Sequence, residues 1–155
     1  MKEIKHILQI ELIPKSCWGS NVRTKVKKKD WDIIRRAVYA KEKMHCHICE
    51  ELCKPLDAHE VWEFNEETHV QKLIDIIGVC KACHGVIHFG RAQKFGYAEE
   101  ATIQFFKVND YCDNIIDLKI EMMRAKSLYL ELSEIKDWKL DLSLIEDQGF
   151  VVNKE

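Results

Sequence analysis

An α+β fold is predicted by three features of the chain. Apolar and polar residues alternate in "IKHILQIELIP" near the start and in "WKLDLSLIE" near the end, the period of half-buried strands. Longer stretches between them carry apolar residues at helical spacing. Two CxxC pairs, Cys46 with Cys49 and Cys80 with Cys83, enclose 30 residues, enough for further structure pinned at its base. The expected architecture is a core stapled by four cysteines, with flanking helices and a small terminal sheet if the two end strands pair. A chain of 155 residues fits one domain, 1–155. Residues 44–90 form the stapled core, and 98–155 a helical extension ending in a strand.

The elements follow in order. The first strand ends at Pro14, and "SCWGSNVRTKVKK" reads as loop, with Gly19 and Asn21 as turn residues. Asp30 can cap a helix running roughly to Lys43, with Trp31, Ile34, Ala37 and Val38 on its buried face. "HCHICEELCKP" is a knuckle, "LDAHEVWEF" a strand and "NEE" the turn after it. A short helix is expected around 68–75. "VCKACHGVIHFG" is a second knuckle leading into a helix that closes near Gly90. "YAEEATIQFFKVND" and "CDNIIDLKIEMMRAKSLYLELSEI" are helical, and Met122 and Met123 on the second are expected in the core. The closing strand can pair with the first.

Composition narrows the function classes. With 46% apolar and 32% charged residues the chain reads as soluble and globular, and no apolar run approaches the ~20 residues of a membrane span. The opening residues carry no cleavable signal pattern, so a cytoplasmic location with reduced thiols is expected, in which clustered cysteines are metal ligands rather than disulfides. Seven cysteines, an odd number, agree. The net charge of −2 is divided unevenly: residues 1–43 hold 12 Lys and Arg against 5 acids, whereas the remainder is acidic.

Four sulfurs from two CxxC turns suit a tetrahedral structural Zn²⁺. Variants that use Cys53, His45 or His47 as one ligand remain open. Cys17 and Cys112 stand alone and read as small core residues. His84 and His88 follow directly, four residues apart, so a helix places both imidazoles on one face. His59, on the strand of the insert, can join them. Three protein ligands leave coordination positions open, which is what separates a working metal from a structural one. Two different metals are therefore expected, the second being Mg²⁺, Mn²⁺, Ni²⁺ or Zn²⁺.

From Cys46 to His88, 43 residues, the pattern resembles the HNH endonuclease family, the ββα-metal nucleases, in the version stapled by a zinc knuckle. The matching pieces are "AHE" at 58–60, Asp75 near the position of a loop Asn, and "CKACHGVIH". More loosely, "ELIPKSCW", "SNVR" and "AHEVWEF" are similar to small standalone HNH proteins of bacteria and their phages. The resemblance implies metal-dependent hydrolysis of DNA phosphodiester bonds on a ββα-metal core. It leaves two registers. In the preferred one His59 is a ligand and Glu60 stands where the base belongs; in the other His59 is the base and Ala58 replaces a ligand. Glu60 and Asp75 both depart from the family's usual His and Asn.

"NVRTKVKKKDWDIIRR" offers Arg23, Lys25, Lys27, Lys28, Lys29, Arg35 and Arg36 as phosphate contacts, joined by Arg91 beyond the last ligand. Trp31 and Trp62 read as packing groups and His69 as a surface or capping residue. The acidic carboxy-terminal third can serve a protein partner. Two other functions compete with the endonuclease. One is a catalytically inactive HNH-like zinc module binding nucleic acid, a nucleotide or a protein. The other is a hydrolase of small phosphate esters.

Overall fold

The structure is a computed structural model that describes residues 7–110 and 114–154. A small sheet divides two cores, one on each face. Strand β1 (Asp57–Asn65) pairs antiparallel with β2 (Val70–Val79), and β2 pairs in parallel with the short β3 (Lys139–Asp141), in the order β1-β2-β3. Alternation along β1 sends Val61 to one core with Ile77 and Val79, and Ala58 and Trp62 to the other with Leu73 and Ile76. Together with the helices this is a mixed α+β fold. No helix of the described residues is long and apolar enough to cross a membrane.

Of the residues expected as a short helix at 68–75, 70–75 lie in β2. Five of its ten residues are Val or Ile, which fit a pleated surface. A bulge explains why its sequence looks helical. Val61 faces Asp75 and Trp62 faces Leu73, leaving Ile74 as the extra residue. Leu73 and Ile76, three apart, thereby share a face, a spacing that in one segment of chain mimics a helix.

The first core is closed by α3 (Lys81–Ile87), α4 (Phe89–Phe95), α5 (Ala98–Val108) and α6 (Ile115–Ser133). The second is closed by α1 (Val22–Lys25), α2 (Lys28–Lys41) and α7 (Ser143–Glu146). Asp30 lies in the first turn of α2 and the cap position is Lys27; Ile34 and Val38 are buried, Trp31 is half-buried and Ala37 is exposed. The loop expected after Pro14 contains a 3-10 turn (Lys15–Cys17) and α1, whose start is capped by Asn21 accepting from the Thr24 N–H. The helix after the second knuckle ends at Ile87, close to the expected Gly90, and a second helix follows at once. His88 joins the two, and α4 closes at Gly96, whose φ of 84° suits glycine.

No strand forms at the start of the described chain. Residues 7–14 are pinned by side chains instead. The Leu8 N–H donates to Asn109 Oδ1 and the Leu8 carbonyl accepts from Asn109 Nδ2, both at 2.9 Å. The Ile10 N–H donates to Glu121 Oε1 at 2.9 Å, its carbonyl accepts from Arg124 Nη2, and the Glu11 N–H donates to the Ile87 carbonyl. Leu8 and Ile10 are buried, as the alternation implied, but Asn109 and Glu121 occupy the place a partner strand would take. The closing strand accordingly pairs with β2.

Helix α6 starts with a capping box of Asn114 and Asp117. Its inner face buries Leu118, Ala125 and Leu132, with Met122 packed against the core. Met123, expected inside, is 71% exposed and continues an outward apolar row with Ile116 and Ile120. Cys17 is a buried core residue, and burial pushes its thiol up to about 11. Cys112 lies outside the described residues.

Candidate metal centre and its cleft

The cysteine site is built by two loops at the base of the hairpin. The first knuckle is closed by an isolated bridge between His45 and Leu52, by the Cys46 N–H on the Glu51 carbonyl and by the Glu50 N–H on the Cys46 carbonyl. It docks on β2 through the His47 N–H to the Gly78 carbonyl at 2.8 Å. Gly78 permits that approach, since a Cβ there would lie 3.0 Å from Leu56 Cδ1 and 3.2 Å from Glu42 Cγ. The second knuckle joins β2 to α3. Cys80 is the N-cap of α3, its sulfur accepting from the Cys83 N–H at 3.3 Å.

The sulfurs of Cys46, Cys49, Cys80 and Cys83 all lie within 4.8 Å of one another. Cys49 Sγ and Cys80 Sγ are 3.8 Å apart. A tetrahedron with Zn–S bonds of ~2.3 Å has edges of about 3.8 Å, so the donor set fits zinc. The thiols alone cannot all ionise. Hydrogen bonds from Cys80 and Cys83 hold Cys46 far below the usual thiol range. The same interactions push Cys83 far up, and burial pushes Cys49 up to about 11. One thiolate is tolerated; four together need a cation to offset their charge.

Cys53, His45 and His47 take no part. Cys53 Sγ donates to the Pro55 carbonyl, His45 Nδ1 meets the Lys43 carbonyl, and His47 Nδ1 lies 2.8 Å from Glu42 Oε2. Gln104 does, donating through Nε2 to Cys83 Sγ at 3.2 Å. Its side chain is buried on α5; nothing in the local sequence marks it.

Three histidines meet next to the cysteines. His59, 5% exposed, lies on the α3-facing side of β1; His84 is on α3, and His88 sits at the junction of α3 and α4. Their ring centroids are 5.7, 5.4 and 4.8 Å apart, and each ring offers a nitrogen within 4.8 Å of the others. Burial, then the charges of His84, His59 and Arg91, hold His88 down at about 3. It is therefore neutral at physiological pH, the form that coordinates a metal.

Two carboxylates orient two of the rings. Asp57 Oδ2 is 2.9 Å from His84 Nδ1, and Glu11 Oε2 is 2.9 Å from His59 Nε2. Each leaves the opposite nitrogen of its ring to face elsewhere, the usual arrangement around metal-bound imidazoles. The His84 hydrogen bond, then the charges of His84, Lys81 and Arg91, hold Asp57 below the ordinary carboxylate range despite burial. The tether therefore persists above the ordinary Asp value near pH 4 and is lost as pH falls through the lowered one. Asp57 has a sequence signal, two residues before His59 on the same strand face. Glu11 has none, lying 48 residues from its partner.

Glu60 is not in this site. Neighbours on a strand point to opposite faces, and Glu60 points to the second core. Its Oε1 accepts from the Val22 N–H at 3.0 Å. Burial pushes its carboxyl up, opposed by the Val22 N–H, the His59 charge, the Arg23 N–H and the Trp62 side chain. It therefore anchors α1 to the sheet. Glu60→Ala should cost about 1–3 kcal/mol, the penalty for a stranded buried donor, in urea denaturation, with metal content unchanged. Asp75 is displaced too. It lies on β2 opposite Val61 rather than in a loop; its Oδ1 accepts from the Ile76 N–H, with Lys41 Nζ at 3.7 Å. His69 is a surface residue paired with Asp137, and Trp31 and Trp62 pack in the second core, as expected.

A cleft of about 1260 Å³ opens beside the histidines, between α2 and the α3–α4 pair. His84 and His88 lie on its wall. Of the basic residues singled out in the sequence, Arg23, Lys28, Arg35 and Arg91 line it, joined by Lys81. Lys25, Lys27, Lys29 and Arg36 do not. A smaller pocket of about 330 Å³, lined by Glu11 and Trp18 among others, shares His88 and Arg91 with that cleft. No protein-family model, curated protein or solved structure matches the chain.

Proposed function

We propose that the chain is a metal-dependent endonuclease that hydrolyses DNA phosphodiester bonds, with an HNH-like ββα-metal core formed by β1, β2 and α3. The observation that carries this reading is the convergence of His59, His84 and His88, from a strand and a helix, beside a cleft lined by cations. His59, His84 and His88 would hold a divalent ion, one of Mg²⁺, Mn²⁺, Ni²⁺ or Zn²⁺. Such an ion supplies electrostatic stabilisation of the charge that builds on the phosphate oxygens.

The chain's own residues do the rest. Asp57 and Glu11 fix the ring orientations of His84 and His59. Arg23, Lys28, Lys81 and Arg91 hold the phosphate backbone against the cleft, an attraction that weakens steeply with salt. With Glu60 turned to the other face, the carboxylates beside the centre are Asp57, paired with His84, and Glu11, paired with His59. We assign Glu11 the role of accepting the proton of the attacking water. The four-cysteine zinc site keeps β1 and α3 in register, so the imidazoles stay together without substrate.

One observation favours a second reading, a nucleic-acid-binding zinc module without activity: neither Glu60 nor Asp75 reaches the histidines. Incubating the purified protein with supercoiled plasmid and each of the four metals separates the two. The endonuclease reading predicts nicking that requires added metal and falls about 10²–10⁴-fold in Glu11→Gln, the usual contribution of a positioned base. Binding without nicking under every metal supports the module instead.

A further inference from the structure

We propose that the cleft beside the three histidines takes an unpaired DNA strand, with the Phe95 ring as a platform on which a base stacks. The proposal rests on reading that cleft as a nucleic-acid site and specifies which form of DNA enters it.

Phe95 occupies the last turn of α4 and is 63% exposed, although it is among the chain's larger apolar side chains. It lines the same cleft as His84 and His88. The Arg91 guanidinium carbon lies 5.7 Å from the ring centroid and Lys94 Nζ 5.6 Å. Both distances are within the reach of cation–π attraction, so the ring is held by two charges that can also meet phosphates. The backbone conformation supports its position: the helix stops directly after it, at Gly96 in the left-handed region.

Both walls carry basic residues. Arg23 and Lys28 come from α1 and α2, and Lys81 from the start of α3. Of the three carboxylates on the lining, Asp32 is tied to Arg35 at 2.8 Å and Asp57 to His84 at 2.9 Å. A polyanion therefore meets mostly positive charge. A cationic groove with an exposed aromatic face is how single strands are bound without sequence preference, since every base has a π-face. In a duplex those faces are hidden by stacking, and an aromatic ring in a concave cleft would meet none of them. A strand lying in this cleft would place a base on Phe95 and run its phosphates along the lining that includes His84 and His88.

The test compares the full-length protein with a labelled DNA strand of about 12 nucleotides, within the site sizes of such grooves, and with its duplex. Binding is followed by fluorescence anisotropy without added divalent metal. Wild type is expected to bind the strand more tightly than the duplex. Phe95→Ala should weaken strand binding roughly 5- to 150-fold, the equivalent of one lost stack, and leave duplex binding unchanged. Phe95→Trp should restore it. Both variants should keep the wild-type melting temperature, because the side chain is largely outside the core. Equal loss on strand and duplex, no loss, or preference for the duplex overturns the proposal. Cleavage of both substrates is measured in parallel with metal added. Selective strand binding without cleavage leaves the proposal standing and removes the endonuclease. Cleavage indifferent to Phe95→Ala, together with indifferent binding, does the reverse. Failure to bind either DNA removes both.

Discussion

Cys80→Ser is expected to abolish the cooperative thermal transition of the chain. Cys80 is the ligand best suited to the test, because its sulfur has two duties. It is one of the four converging sulfurs, and it caps α3 by accepting from the Cys83 N–H. Serine is a good helix cap, so the substitution keeps the second duty and removes most of the first. A structural zinc contributes on the order of 10 kcal/mol to folding, and a domain of this size has a total of about 5–15 kcal/mol. The loss therefore consumes most or all of the stability. Cys53→Ser is the control: Cys53 lies in the same knuckle but bonds the Pro55 carbonyl, and its replacement should move the transition by less than about 1 kcal/mol, the scale of one ordinary hydrogen bond. Circular dichroism on heating checks both. The zinc should also be released on acidification, since protons compete for thiolates and metal binding is lost as pH falls.

His84→Ala and His88→Ala are expected to leave the fold intact and lower metal-dependent plasmid nicking by on the order of 10³-fold or more, the equivalent of several kcal/mol of lost charge stabilisation. The cysteines, not the histidines, join the hairpin to the helix, so each truncation spares the staple. Asp57→Asn should be milder, about 10- to 100-fold in metal affinity, as for a partner that orients a ligand rather than binding the ion. Initial nicking rates across metal concentration separate these effects. A His84 or His88 variant loses the site, whereas the Asp57 variant is rescued by more metal.

The parts of the centre that were legible in the sequence are those with local spacing. Two CxxC turns and an i, i+4 histidine pair announce their geometry within a few residues, and His59 sits on a strand whose pattern is plain. Strand β2 was not legible, because the bulge at Ile74 shifts its alternation and places Leu73 and Ile76 on one face. The role expected of Glu60 failed on a local rule: a residue next to His59 on a continuous strand faces the other way. Glu11 was out of reach for another reason. It belongs to a segment held by Asn109 and Glu121, 101 and 111 residues distant in sequence, so its neighbours are set by tertiary packing. The alternation of that segment recorded the burial of Leu8 and Ile10 correctly but not the side chains that satisfy its backbone. Of the basic stretch, only residues whose helix face turns to the cleft line it, and that face depends on how α2 docks on the sheet.

Two separate metals are proposed for the chain, one held by sulfur and one by imidazole. Native mass spectrometry of the full-length protein, loaded with zinc and then treated with a mild chelator, tests this most directly. The expected result is two ions per chain before chelation and one after, with His84→Ala holding one throughout and still folded. Two ions in His84→Ala, or a wild-type chain that never holds more than one, would contradict it.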